Sequence, residues 1–427
     1  MTRSSGPTGP ETVRPGLSRM RSALARSGHP ESAFRTLQVA GTNGKGSTAC
    51  FLESVLRRLA GGPVGIYTSP HLVSPEERIR IDGRKIPHRA LREGFRAAAR
   101  LGEAGNPLTY FEKMTWVACD RFARLGVPLV VMETGLGGRW DATTACRPLV
   151  TVITTVGLDH RDWLGNTLGR IAGEKAGILK RGVPVVLGRL RAAARTVVRR
   201  RARRLSCDVW ELGKDFGWSL RGDGTFTVGL PGASVEGIRL GMAGEFQRDN
   251  AAVGLAAAWR WAHGRGIPPS TFAPVAAAAV SSARWPGRLC PLPLRKNAGA
   301  WVDGGHNPDA ARALARVIGE APPWGRGKRV IGLWSMLADK DQAGYLRALR
   351  PCLDGVVVYP LGHERATAVH ALEEQCRRAG VPCRAADGFP EGWRIARNWA
   401  GRNGVVLVCG SLVAAGDAYR HRAGGVD

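Results

Sequence analysis

The sequence predicts an α/β protein: a P-loop-containing N-terminal domain with a parallel sheet, followed by a smaller Rossmann-like α/β C-terminal domain. Strand-like apolar runs alternate with helical patterns through most of the 427 residues, and this alternation is typical of parallel sheets. A Gly-rich turn follows the first strand pattern, and a Pro-Gly-Arg segment separates two such series. A chain of this length is too long for one compact core, so two domains are expected.

The N-terminal series begins after residues 1–15, whose Pro, Gly and Ser content predicts a disordered lead-in. We expect the first domain to span 16–285. Residues 36–40 (TLQVA) predict a buried strand, and apolar residues at helical spacing predict a helix over 46–60. The other predicted elements are strands at 129–133 and 149–155, a small antiparallel patch within 206–240 and a helix near 248–263.

The second series follows a segment rich in proline, RWPGRLCPLP, in which we predict an interdomain hinge at 286–293. The second domain is then expected over 294–427. Four apolar runs predict its strands, with helices between them: 301–303, 329–334, 356–360 and 404–410.

Bulk composition limits the class of protein. No apolar run approaches the length of a membrane span, and the N-terminus has no apolar signal core. The nine cysteines are scattered, without a CxxC pair or zinc-type spacing, which favours a reduced, cytoplasmic protein. The net charge is +27 and suits anionic ligands. Residues 191–205 (RAAARTVVRRRARRL) are the best candidate for a nucleic-acid surface, but a solvated helix face is the favoured interpretation.

The strongest local signal is AGTNGKGST (40–48), which lies between a predicted strand and a predicted helix. Its glycines allow backbone N–H groups to turn toward a phosphate, and the helix N-terminus adds a favourable dipole. Lys45 would reach the β- and γ-phosphates. The loop is shorter than the common P-loop, with Gly41, Gly44, Lys45 and Ser47 at close spacing. It predicts nucleotide binding.

Two further motifs also follow strands. METGLGGRWDATT (132–144) brings Glu133 to a strand end, where a carboxylate beside a P-loop is a natural Mg²⁺ ligand. GLDHRDWLG (157–165) brings His160 to the same predicted sheet edge. Lys175, in EKAGI, is a poor neighbour for a metal while it is protonated. From the residues alone, a surface lysine is the simpler interpretation.

Taken together, these segments resemble the folylpolyglutamate synthase/dihydrofolate synthase family of the Mur ligase superfamily. The similarity runs from about residue 16 to 420 and keeps the family's order: VAGTNGKGS, YTSPHLVSPEERIRIDG, LTYFEKMT, ETGLGGRWDATT, GLDHRDWLG, EKAGILK, GEFQRDNAA, WPGRL, DGGHNP, DKD and CGSL. The resemblance implies an ATP-dependent ligase that joins L-glutamate to dihydropteroate or to folates through an acyl phosphate. It also implies two Mg²⁺ ions and a monomer, with no nucleic-acid or membrane partner.

The resemblance further implies roles for individual residues. Lys45, His160 and Lys175 would be catalytic, with Lys175 carbamylated by CO₂ so that it carries a carboxylate-like group. Metal ligands would be Ser69, Glu133, His160 and Lys175. The nucleotide would be held by Thr42, Asn43, Gly44, Lys45, Gly46, Ser47, Asn250, Arg288, Asp303 and His306. The substrate acid would be lined by Thr109, Tyr110, Phe111, Glu112, Trp140, Asp141 and Ala142.

Several positions depart from the family pattern, among them Thr144, where Asn is usual, and Gly305, where Ala is usual. None of them is a predicted ATP or metal position. They leave open a paralogue that joins a different acid and amino acid in a specialised pathway.

Overall fold

The computed structural model describes residues 14–103, 105–292, 299–320, 324 and 327–423. Most of the predicted lead-in, residues 1–13, lies outside the described residues, as does residue 293 of the predicted hinge. Within the described part of the chain, no helix is both long and apolar enough to cross a bilayer.

The larger sheet consists of eight strands. In chain order they are β1 (Arg35–Ala40), β2 (Val64–Tyr67), β3 (Ile79–Ile81), β4 (Arg84–Lys85), β5 (Leu129–Glu133), β6 (Pro148–Ile153), β7 (Val185–Leu187) and β8 (Val209–Glu211). Their spatial order is β4-β3-β2-β5-β1-β6-β7-β8. The six strands β2-β5-β1-β6-β7-β8 pair in parallel. Strands β3 and β4 extend the β2 edge by antiparallel pairing. Parallel pairing brings the carboxyl ends of β5, β1 and β6 together at one edge.

Helices cover both faces of this sheet. They are α1 (Ser18–Arg26), α2 (Lys45–Leu59), α3 (His88–Arg100), α4 (Tyr110–Arg124), α5 (Arg161–Leu164), α6 (Leu168–Lys175), α7 (Ala192–Arg204), α8 (Phe246–His263) and α9 (Pro269–Ser282). Helices α2, α8 and α9 share a core with a three-stranded antiparallel sheet of β9 (Gly217–Leu220), β10 (Phe226–Leu230) and β11 (Ala233–Ile238). Helices α1, α3 and α4 pack in a second cluster, and α6 and α7 in a third.

The second sheet has six strands: β12 (Cys290–Pro291), β13 (Gly299–Val302), β14 (Val330–Trp334), β15 (Gly355–Val358), β16 (Cys383–Ala385) and β17 (Val405–Cys409). They are ordered β12-β13-β17-β14-β15-β16, and all pairs are parallel except β12 with β13. Five helices accompany them: α10 (Pro308–Glu320), α11 (Gln342–Leu349), α12 (Val369–Ala379), α13 (Phe389–Ala400) and α14 (Leu412–Ala423).

The predicted fold class is confirmed: an N-terminal domain with a largely parallel sheet precedes a separate α/β domain. The strand predicted at 129–133 has the same limits in the structure, and the helix predicted over 46–60 begins one residue earlier and ends one residue earlier. The antiparallel patch predicted within 206–240 corresponds to β9, β10 and β11. The domain limits at 285 and 294 stay predictions.

Candidate active site

The loop between β1 and α2 needs glycine at two positions. Gly41 has φ of +157°, and a Cβ there would lie 1.9 Å from Thr154 Oγ1. Gly44 has φ of +84°, and a Cβ there would lie 2.3 Å from Asn250 Oδ1. No side chain caps the N-terminus of α2 among the described residues. The first N–H groups of this helix therefore point out of the loop without a side-chain partner, as an anion site requires.

The loop is also held in place by polar contacts with the chain after β6. The N–H of Thr42 donates to the carbonyl of Thr155 over 2.8 Å, and the N–H of Asn43 donates to Thr155 Oγ1 over 2.9 Å. Thr42 Oγ1 accepts from the N–H of Gly157 over 3.0 Å. These contacts fix the loop backbone before any ligand arrives, because they come from the neighbouring strand rather than from the loop itself.

Lys45 lies at the centre of this edge. Its Nζ donates to the carbonyls of Gly41 and Thr42, each over 3.1 Å. Burial lowers the pKa of Lys45, while the charges of Glu133 and Asp159 oppose that shift. The ammonium group is thus close to two acidic groups without a direct ion pair to either, and a bound phosphate would give it a stronger partner.

Glu133 ends β5 and is almost wholly buried. Its Oε2 accepts from the N–H of Ser69 over 3.3 Å. Burial raises the pKa of Glu133, opposed by Lys45 and Arg288. Beside it, the buried Oγ of Ser69 has no hydrogen-bond partner among the described residues. An orphaned hydroxyl next to a desolvated carboxylate fits the oxygen ligands that Mg²⁺ prefers.

Asp159 and His160 follow β6 and meet the second domain. Lys340 Nζ lies 2.8 Å from Asp159 Oδ1 and 3.4 Å from His160 Nε2. His306 Nε2 lies 3.3 Å from Asp159 Oδ2, and Asn307 Nδ2 donates to the same oxygen over 3.1 Å. Burial would raise the pKa of Asp159, but the hydrogen bond from His306 and the nearby positive charges hold it well below its usual range.

His160 is half-buried, and its backbone is left-handed with φ of +50°. Burial lowers its pKa to about 3, with a further contribution from Lys340 against the opposing charge of Asp159. The imidazole is therefore neutral near pH 7 and able to ligate a metal. Asp159, His160 and His306 each offer a ligand atom, and these atoms lie within 4.8 Å of one another.

Lys175 is buried, with only 4% of its surface exposed, so its interpretation as a surface lysine is wrong. Helix α6 ends at Lys175 and packs against the P-loop, and the Nζ donates to the carbonyl of Gly41 over 2.8 Å. Burial and the charge of Lys45 lower its pKa to about 7. A large neutral fraction at physiological pH gives this amine the nucleophilic character that reaction with CO₂ requires.

The residues predicted for the nucleotide come from both domains. Asn250, on α8, is buried beside Gly44, and its Nδ2 donates to Gln247 Oε1 over 2.9 Å. Gly46, in the first turn of α2, has Arg288 Nη2 3.8 Å from the position of a Cβ. The remaining predicted residues, Ser47 and Asp303, are buried in α2 and after β13.

Asp303 fixes the hinge segment. Its Oδ2 accepts from the N–H of Leu289 over 2.9 Å, and its Oδ1 accepts from the N–H of Gly305 over 2.8 Å. Burial raises its pKa, against the charge of Arg288. His306 faces Asp159 rather than open solvent. These contacts join the start of the second domain to the P-loop edge.

The first segment predicted to line the acid begins helix α4. Thr109 and Glu112 form a capping box, in which Glu112 accepts from the N–H of Thr109 over 2.8 Å and Thr109 Oγ1 accepts from the N–H of Glu112 over 3.2 Å. Arg19 also pairs with Glu112, at 2.9 Å. Tyr110 contacts Phe95, with ring centroids 5.3 Å apart. The side chains of Thr109 and Glu112 therefore cap helix α4. Their role in binding the acid stays a prediction.

The second predicted segment follows β5. Asp141 accepts from the N–H groups of Gly135 and Leu136 over 2.8 and 2.9 Å, so it shapes the Gly-rich loop. Phe111 packs so closely on this loop that a Cβ at Gly135 would lie 2.6 Å from its ring. Ala142 is buried, whereas Trp140 is 52% exposed. An exposed indole beside a rigid loop is free to cover a planar ligand.

Sequence reasoning assigned no role to Asp159, Asn307 or Lys340. Asn307 pairs with Asn43 through two amide hydrogen bonds of 3.1 and 2.9 Å, which connect it to the P-loop directly. The motifs GLDH, DGGHNP and DKD contain all three residues. Lys340 and Asn307 both donate hydrogen bonds to the carboxylate of Asp159. The sequence conceals this, because up to 181 positions separate these residues.

A cavity of about 300 Å³ opens beside this edge. Its walls include Ser69, Glu133, Trp285 and Arg288, together with Arg80 from β3. Cationic and anionic side chains both line it. Its volume is at the lower limit for small-molecule sites.

Known proteins match the chain along nearly all of its length. Residues 39–258 match the Mur ligase middle domain, and residues 287–412 match the glutamate ligase domain of Mur ligases. A dihydrofolate synthase/folylpolyglutamate synthase of Bacillus subtilis is 34% identical over 416 residues, which are 95% of this chain and 94% of that protein.

Solved structures agree with these matches. The folylpolyglutamate synthase of Mycobacterium tuberculosis, complexed with ADP and AMPPCP, has a TM-score of 0.87 at 30% identity, over 97% of this chain and 96% of that one. A bifunctional folylpolyglutamate synthase/dihydrofolate synthase with Mn, AMPPNP and L-glutamate bound has a TM-score of 0.83 at 30% identity, over 98% and 96% of the two chains.

Proposed function

Because the chain belongs to the folylpolyglutamate synthase/dihydrofolate synthase family of the Mur ligases, we propose that it is an ATP-dependent ligase that adds L-glutamate to dihydropteroate, to folates, or to both. The observation that carries the proposal is the convergence of Lys45, Glu133 and Lys175 on the P-loop at one sheet edge. Burial lowers the pKa of Lys45 and of Lys175 and raises the pKa of Glu133, so each shift favours the neutral side chain. A bound ligand of opposite charge would stabilise the charged form of each.

The P-loop would hold the phosphates of ATP through the first N–H groups of α2 and through Lys45. Asn250 and Arg288 would contact the rest of the nucleotide. Two Mg²⁺ ions are proposed, ligated by Ser69, Glu133 and His160 and by a carbamylated Lys175. When bound, they would neutralise charge on the transferring phosphoryl group. Relatives with bound nucleotide, one of them also with bound Mn, support the binding of a nucleotide and a divalent metal.

In the proposed reaction, a carboxylate of the acid attacks the γ-phosphorus of ATP, and ADP leaves. The resulting acyl phosphate is attacked by the amine of glutamate, which forms an amide and releases phosphate. Lys45 would stabilise the charge that develops on the phosphoryl oxygens. The contribution of the protein is mainly to position the acid, the phosphate and the amine, and to exclude the water that hydrolyses an acyl phosphate.

The second domain would complete the site. His306, Asn307 and Lys340 approach the P-loop edge through Asp159, and Asp303 holds the hinge segment beside Arg288. Closure of this domain over bound ATP would shield the acyl phosphate. A monomer in the cytoplasm remains our expectation.

The experiment that tests the proposal is a substrate panel with ATP, Mg²⁺ and L-glutamate. Dihydropteroate and tetrahydrofolate are the acid substrates, and the products are measured by phosphate release and by mass. Glutamylation of either acid supports the ligase, and the relative rates define its class. Turnover with neither acid, but with another acid and amino acid, would favour the specialised paralogue.

A further inference from the structure

A second cavity, of about 660 Å³, lies between helices α6 and α7 and opens to solvent. Five arginines line it: Arg139, Arg170, Arg200, Arg201 and Arg204. No acidic residue is among its lining residues. Like charges in one concave site raise the local concentration of anions.

The arginines on the two faces of α7 differ in whether they pair with a carboxylate. On one face, Arg195 and Arg199 both pair with Glu211, at 3.5 and 2.7 Å. On the cavity face, Arg200 and Arg204 form no ion pair with any carboxylate in the described part of the chain, and neither does Arg170 across the cavity. These two arginines of α7 are four residues apart, where like charges destabilise a helix.

The other two arginines form part of the wall itself. Arg201 is half-buried, and its Nε donates to the carbonyl of Ala176 over 2.7 Å. Arg139 pairs with Glu174 at 3.4 Å. Burial and the charge of Arg139 lower the pKa of Arg201, so the two guanidinium groups repel each other across the wall. A bound anion would relieve that repulsion.

The floor of the cavity is formed by glycines of α6 that packing does not require. A Cβ at Gly173 would meet nothing within 4 Å, and a Cβ at Gly169 would meet only Val197, at 3.8 Å. Glycine inside a helix costs about 1 kcal/mol relative to alanine. The two glycines leave open volume beneath the arginines.

The cavity shares two elements with the candidate active site. Helix α6 carries the glycine floor and ends at Lys175. Arg139 stands next to Trp140, in the loop that begins after Glu133, and its N–H donates to the carbonyl of Glu174 over 2.8 Å. The arginine cavity and the candidate active site therefore border the same helix and the same loop.

We propose that this arginine cavity binds a short chain of carboxylates, the anion that stepwise glutamate addition produces. The proposal rests on the proposed function, because that reaction supplies a substrate tail with one more carboxylate at each addition. Guanidinium groups suit carboxylates through paired N–H donors. Several weak contacts spread over five arginines suit a flexible chain better than a single small anion.

The direct test is binding of free γ-linked tetraglutamate to the intact protein, measured by calorimetry at low and at moderate salt. We expect saturable binding that weakens as salt is raised. Arg200→Ala and Arg204→Ala should each weaken it by roughly tenfold, as expected from the loss of a charge-assisted hydrogen bond. The matched control is Arg203→Ala, an exposed arginine of the same helix that does not line the cavity, which should bind as wild type does.

A second variant separates shape from charge. Gly173→Leu fills the floor without changing charge, and it should weaken tetraglutamate binding while raising thermal stability, because leucine favours a helix more than glycine does. Unchanged binding in this variant and in both lining-arginine variants would overturn the proposal.

Other probes distinguish other anions. Inorganic tripolyphosphate that binds while tetraglutamate does not would overturn the carboxylate assignment. Binding of a single-stranded oligonucleotide that Arg203→Ala and Arg200→Ala weaken equally, without tetraglutamate binding, would also overturn it and would favour a general basic surface. Mg-nucleotide binding to the Arg200→Ala variant, measured separately, should equal that of wild type. A failure of the proposed function is thereby distinguished from a failure of this site.

Discussion

The two sides of the candidate active site differ in how their charges are satisfied. On the side of the larger sheet, Lys45, Glu133 and Lys175 are desolvated and shifted toward their neutral forms. On the side of the second domain, Lys340 and His306 converge on one carboxylate, Asp159, which stays ionised. The charged groups of Lys45, Glu133 and Lys175 have no ion-pair partner in the described part of the chain, whereas Asp159 is already paired with Lys340 and His306. We therefore expect changes to the first group to reduce activity, and changes to the second to reduce stability.

The largest expected effect tests the first half of this comparison. Lys45→Ala should lower ATP-dependent glutamate ligation by at least about 100-fold, because it removes a cation from the transferring phosphoryl group. Thermal unfolding should change little, since burial already disfavours the ammonium form. The control is Lys328→Ala, an exposed lysine before β14, which should keep full activity.

The next effect tests the contacts between Asp159 and the second domain. Lys340→Met should lower the free energy of unfolding by about 1–3 kcal/mol, because Asp159 loses a buried ionic partner and keeps only His306 and Asn307. Chemical denaturation measures this change, with Lys328→Met as the control. Unchanged stability would mean that the network between the domains is energetically neutral.

A smaller effect sharpens the assignment of the metal site. Glu133→Gln should raise the Mg²⁺ concentration needed for half-maximal activity by about tenfold, because a carboxylate ligand is lost. The same variant should be no less stable than wild type in the absence of metal, since burial penalises the ionised carboxylate. A Mg²⁺ requirement identical to that of wild type would remove Glu133 from the ligand set.

The last prediction concerns Lys175 and pH. Its pKa is about 7 in the folded protein and near the ordinary lysine value of 10.5 in the unfolded chain, so between these values the unfolded chain binds more protons. Lys175 therefore makes the free energy of unfolding rise with pH from about 7 to 10.5, by at most about 1.4 kcal/mol per pH unit. The protein without metal or CO₂ should show this slope, and Lys175→Met should have a flatter one. Equal slopes would contradict the lowered pKa.

Much of the fold was predictable from local patterns. The apolar run 129–133 and the helical spacing after Lys45 depend only on neighbouring residues, and both elements form as expected. Gly41 and Gly44 were recognisable for the same reason, because the backbone they need is set within the loop.

The rest depends on contacts that spacing does not reveal. Lys175 is polar and follows a glutamate, so only the packing of α6 on the P-loop explains its burial. The pairing of Asp159 with Lys340 joins residues from two domains. Glu112 lies in a motif that suggested the acid site, yet its partners are the N-terminus of its own helix and Arg19.

The measurement that tests the account most directly is calorimetric titration of the wild-type protein and of Lys45→Ala with a non-hydrolysable ATP analogue, with and without Mg²⁺. We expect saturable, Mg²⁺-dependent binding to wild type, and binding at least about tenfold weaker in the variant. Absence of binding to wild type, or equal binding by the two proteins, would contradict a triphosphate site at the edge formed by β5, β1 and β6.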